Sequence, residues 1–151
     1  GHIAKLGQTA IGGFIAILAA EELLDVANRG MMAPDIHPVA RRLAEIHVLE
    51  EARHVAYART FLQEAWPEAG LLERMYVRAT APVLAWAIAD ALVNPAVYKP
   101  LGIADGPRIA RTNPHHRQRV RDGCKRLTGF LSEVGVINKS AGQVWRALGL
   151  L

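Results

Sequence analysis

Glu45-Ile46-His47-Val48-Leu49-Glu50-Glu51-Ala52-Arg53-His54 lies inside the longest uninterrupted helical pattern of the chain. His47, Glu51 and His54 stand at i, i+4 and i+7. That spacing covers just under two turns of an α-helix and projects three metal-capable groups to one side. Leu43, Ala58, Phe61 and Ala65 continue the same register, so two imidazoles and a carboxylate fall on a face that otherwise reads as core. Burying such groups without partners is expensive. The stretch therefore predicts either a ligand site or a satisfied polar network, in which both histidines are hydrogen-bonded core residues and Glu51 joins a buried cluster.

Working outward, Asp35 is the expected N-cap of this helix, with Pro38 tolerated in its first turn and Trp66-Pro67 at its end. Residues 5–29 read as a preceding helix with Leu6, Ile11, Phe14, Ile15, Leu18 and Leu24 as apolar surface, weakened early by Gly12-Gly13 and stopped by Gly30. Residues 68–92 predict a third helix, with Leu71, Leu72, Met75, Val83, Leu84 and Ile88 in the core and Pro82 as a kink or division. A loop with short helical pieces is expected next. Asn113-Pro114 then opens a helix over 115–134 whose stripe is Leu127, Phe130, Leu131 and Val134. Gly135 ends it. Residues 138–149 form a shorter amphipathic helix packed through Val144, Trp145 and Leu148. No strand pair competes, so the fold class is all-α.

Composition sets limits on function. The chain has 151 residues, enough for a single helical domain over 1–151, with 51% hydrophobic and 21% charged residues. Disorder is a poor description of such a chain. The formal charge of +4 is too mild to argue for nucleic acid. Residues 99–126 carry eight Lys and Arg against two Asp, so the basicity is local. The apolar run from Ile11 to Ala20 stops at Glu21-Glu22 and falls short of the roughly 20 residues of a membrane span, so no membrane partner is expected. A lone Cys124 excludes an internal disulfide and fits a reducing, cytoplasmic setting. The chain starts Gly1-His2 without a secretory signal, and residues are expected upstream.

Imidazole and carboxylate donors without nearby cysteine suit Fe, Mn or Zn. Glu51 and His54 form the ExxH element that one helix contributes to a ferritin-like dimetal centre, where another helix adds a carboxylate. Glu21 and Glu22 stand available on the preceding helix, about 100° apart, so only one takes the innermost position. Glu22 is favoured because Ile15, Leu18 and Glu22 follow core-like spacing. Asp25 shares that side as a supporting group, and Glu50 and Arg53 flank the ligands as further supporting candidates.

At these residues the chain resembles the non-haem di-iron oxygenases similar to p-aminobenzoate N-oxygenase. The resemblance runs over Glu21-Glu22-Leu23-Leu24-Asp25, Ile36-His37-Pro38 and Ile46 to His54. It continues more weakly through Asn94 to Tyr98, Asn113 to Arg117 and Phe130 to Val136. It implies that His47, Glu51, His54 and Glu22 (or Glu21) ligate iron, and that the protein uses dioxygen and an electron donor to oxygenate a small amine, typically an arylamine. It also implies that the chain corresponds to the C-terminal half of the family's domain, a ferritin-like half-bundle. The upstream Glu and second ExxH would then come from a homodimer partner or from a missing N-terminal half. A non-catalytic helical metal-binding or interaction subunit is the alternative.

Other motifs have plainer readings. Arg117 and Arg121, in a basic segment with His115-His116, are candidates for anion binding, though a solvated helix face is the simpler account. Trp66, Trp86 and Trp145 read as packing anchors, and Cys124 as a small buried hydrophobe.

Overall fold

The computed structural model describes residues 9–151 apart from Val93. Among the described residues there are six α-helices and no strand: α1 (Ala10–Gly30), α2 (Pro38–Glu68), α3 (Leu71–Ala91), α4 (Gly106–Thr112), α5 (Pro114–Val134) and α6 (Lys139–Ala147), with one 3-10 turn at Pro95–Val97. The all-α expectation holds, and the arrangement is consistent with a ferritin-like helical domain.

Local chemistry sets most helix ends. Thr9 caps α1 by accepting from the Gly12 N–H at 3.0 Å; residues 5–8, including Leu6, lie outside the described residues. The α2 cap is His37 rather than Asp35, and its Nδ1 accepts from the Val39 N–H at 3.3 Å. The reason is Pro38, whose ring keeps the residue before it out of the helical region, so no helix begun at Asp35 passes through His37. Pro67 sits inside the last turn of α2. Asn113 caps α5, its Oδ1 accepting from the backbone of His115 at 2.9 Å and of His116 at 3.4 Å. Gly135 closes that helix at φ 90°, a conformation costly for other residues.

The helix α1 is the hub, packing against α2, α3 and α5, while α6 closes onto α3. Ile15 and Leu18 of α1, Leu62 and Trp66 of α2, Val77 of α3, Leu127 and Leu131 of α5 and Trp145 of α6 meet in one core. Trp66 and Trp145 are thus packing anchors, whereas Trp86 is partly exposed.

Two buried faces differ from expectation. In α3 the inward row is Val77, Ala81, Leu84, Ala85 and Ala89, while Leu71, Leu72, Met75 and Val83 are exposed. The alanines at four-residue spacing let helix backbones approach closely. Leu72, Met75 and Val83 lie roughly 120–200° around the helix from that row, and Leu71 opens the first turn. The helix runs through Pro82 undivided. Leu71–Val97 is long and apolar enough by length and composition to cross a membrane, and here its small residues pack into the helical core. In α2 the buried row is Ala44, Glu51, Ala58, Leu62 and Trp66. Leu43, His47 and His54 are exposed beside it. Leu24 and Val144 are likewise exposed, where Leu23 and Trp145 take the inward positions.

Candidate metal centre

On α2, positions seven apart repeat nearly the same angle, so Ala44, Glu51 and Ala58 share the line that faces α1 and α5. His47 and His54 stand roughly 40–60° to one side of that line. This small rotation divides the candidate ligands into two groups.

The first group is interior. Glu22 of α1 is 2% exposed and Glu51 of α2 is 6% exposed. Arg59 Nη2 donates to Glu22 Oε1 at 2.5 Å, and Asn28 Nδ2 donates to Glu51 Oε1 at 2.9 Å. The second oxygen of each carboxylate, Glu22 Oε2 and Glu51 Oε2, is buried without a partner. Beside them Asp25 accepts from Arg29 Nε through both oxygens, at 2.9 and 2.8 Å, and from Arg126 Nη1 at 2.8 Å. All of these side chains except Asn28 line one cavity of about 250 Å³. Burial raises the Glu22 pKa, against the opposing pull of the Arg59 hydrogen bond and charge.

The second group lies at the margin. Glu21, one residue from Glu22 and therefore turned by about 100°, sits with its Oε1 3.1 Å from His54 Nδ1. His47 is exposed, as are Glu50 and Arg53. Among the described residues no group of three or more His, Cys, Asp and Glu side chains is assembled that could hold a metal. The convergence of His47, Glu51 and His54 on one point is thus not reached within the described residues, because the two imidazoles flank the buried arc instead of lying on it.

The sequence profile of the family described as "P-aminobenzoate N-oxygenase AurF" matches residues 2–135. The chain belongs to the AurF family. AurF-like proteins are a di-iron oxygenase-like family. Similar proteins include an uncharacterized protein of Mycobacterium bovis and two uncharacterized proteins of Mycobacterium tuberculosis, each 27% identical over 149 residues. Those alignments cover 93% of this chain and 43% of each relative, so the chain spans less than half the length of the curated relatives it matches. No solved structure matches the chain.

The donors present fit iron in kind. Carboxylate oxygen and imidazole nitrogen are suitable ligands, and two residues that line one cavity, Glu22 and Glu51, each keep a buried carboxylate oxygen without a hydrogen-bond partner. Sequence reasoning did not single out the surrounding donors. Arg29 was legible in principle, standing four residues after Asp25 on one helix. Asn28, Arg59 and Arg126 reach their carboxylates across 23, 37 and 101 residues, and no local pattern signals such pairs.

The remaining candidates lie apart. Arg117 is exposed at a shallow cavity beside Trp86 and Asp90, and Arg121 donates to Gln118 Oε1 at 2.6 Å within α5. Cys124 is fully buried, and burial pushes its thiol up to about 11. The thiol is therefore protonated at neutral pH and unsuited to nucleophilic chemistry.

Proposed function

We propose that this chain supplies the C-terminal part of a di-iron site and, once completed by a second copy or by an N-terminal segment, oxygenates a small amine at the expense of dioxygen and an electron donor. The observation that carries this reading is the pair of inward carboxylates, Glu22 and Glu51, which line the same cavity and each keep one buried oxygen without a hydrogen-bond partner. An unsatisfied buried carboxylate oxygen is costly unless a cation or a proton takes it up. His54 and Glu21 at the neighbouring edge, with His47 one turn before Glu51, would supply further donors to a bound metal.

Bound iron would supply the redox chemistry of oxygen activation. The chain's own residues perform the rest. Glu22 and Glu51 present oxygen donors, while Arg59 and Asn28 fix their rotation. Asp25 holds the Arg29 and Arg126 guanidinium groups at the cavity wall. The arylamine class of substrate is drawn from the AurF family's description and not from a pocket in this chain.

Metal content of the intact, gently purified particle tests the reading, with its mass measured so that atoms are counted per assembly. About two irons per complete particle are expected, lost on His47→Ala or Glu51→Ala, with an N-oxygenated product formed from an arylamine in the presence of a reductant. An iron-replete particle without iron would overturn it. The second reading, a non-catalytic metal-binding or interaction subunit, is favoured by the absence of a complete ligand group among the described residues. One metal or none per intact particle, with no oxidised amine, would select it.

A further inference from the structure

We propose that Asn28 is a positioning residue for Glu51, pinning one carboxylate oxygen across the α1–α2 interface so that the other is presented to a divalent metal. This deepens the di-iron reading and rests on it. Glu51 Oε1 accepts from the Asn28 amide at 2.9 Å, and Glu51 Oε2 is buried with no partner. A carboxylate held by one oxygen loses the freedom to turn about its terminal bond, so the bare oxygen has a fixed direction. The neighbouring carboxylate repeats the arrangement, since Arg59 holds Glu22 Oε1 and Glu22 Oε2 stays bare. Both Glu22 and Glu51 line the same cavity.

The choice of donor matters. At Glu22 the donor is a cation, which stabilises the carboxylate but opposes the approach of metal. At Glu51 it is a neutral amide, which orients without adding positive charge. Asn28 is half-buried in the last turns of α1, three residues after Asp25, so it belongs to the same polar strip as Glu22 and Asp25. An interhelical staple alone has no need for its acceptor to keep a bare buried oxygen. Orientation of ligands by such outer hydrogen bonds is a general property of metal sites, and its loss typically costs 10- to 100-fold in metal affinity.

The test is an anaerobic titration of the intact protein, together with any chain that copurifies, using Co(II) alone as a visible-absorbing probe. Asn28→Ala is expected to weaken Co(II) binding by about 10- to 100-fold and to shift the visible bands as Glu51 reorients. Asn28→Gln, which restores an amide donor, is expected to recover most of that loss. Circular dichroism on the metal-free forms checks that the helices are retained, and Asn28→Ser, too short to reach Glu51, replaces the alanine variant if that one fails to fold. Wild-type affinity and spectrum in the Ala or Ser variant would overturn the positioning role while leaving the metal reading intact. A wild-type protein that takes up no Co(II) would overturn both.

Discussion

Arg59 shows how much a single side chain is asked to do. It is the cation nearest Glu22, it lies 5.0 Å from the centre of the Phe130 ring, and its own Nε is buried without a partner. Removing it leaves a deeply buried carboxylate with no direct counterion. Because Arg59 keeps about a third of its side chain exposed, we expect Arg59→Met to cost about 2–3 kcal/mol at neutral pH, somewhat less than a fully buried pair. Adding Glu22→Gln in the same background is expected to restore most of that stability, since the uncompensated charge is gone. Urea denaturation of the three proteins checks this; equal midpoints for wild type and Arg59→Met would show that the pair contributes nothing. The residue scale is also where sequence reading was least complete. It singled out the acidic and imidazole groups by type, but their partners Asn28, Arg59 and Arg126 are ordinary polar residues whose role exists only once distant helices meet.

At the scale of elements, helix ends were more legible than helix faces. Pro114 with Asn113, and Gly135, act within one turn, and the sequence places those boundaries closely. The end of α2 slips past Pro67, and its start moves from Asp35 to His37 through an interaction with the next residue. Faces depend on what packs against them. The alanine row of α3 and the small rotation of His47 and His54 away from Glu51 are decided by neighbouring helices, which no count of apolar residues reveals. One element makes a sharp prediction. The helix α4 begins at Gly106 directly after Asp105, which holds φ at 55°, and a methyl group added at Gly106 would run into the Tyr98 ring. Gly106→Ala is therefore expected to destabilise this corner by about 1–3 kcal/mol through overpacking, read as a lower melting temperature and faster amide exchange across residues 98–112. An unchanged melt would mean that Tyr98 swings aside at no cost.

At the scale of the whole molecule, the chain is a hub helix with others laid around it, and the charge cluster occupies the later turns of that hub. The all-α class was legible because the periodicity is consistent along the chain. A separate ion pair ties the far region to the bundle: Arg111 of α4 donates to Asp90 of α3 through two bonds of 2.7 Å each. The Arg111 hydrogen bond holds Asp90 below its ordinary carboxylate value. A depressed acid contributes stability above its unfolded value, near 3.8, and that contribution disappears as pH falls through the lower folded value. Thermal melts between pH 6 and about pH 2 are thus expected to fall more steeply for wild type than for Asp90→Asn, the two curves converging at the acid end. Parallel curves would remove Asp90 from the pH dependence. Another contact, the bond from Arg126 to Asp25, spans 101 residues of the sequence. During synthesis on a ribosome Asp25 emerges with Arg29 four residues behind it, but its second cation is made 101 residues later. The nascent chain therefore carries an under-neutralised acidic strip until α5 docks, and the electrostatic balance of the cavity waits on the making and docking of that later helix.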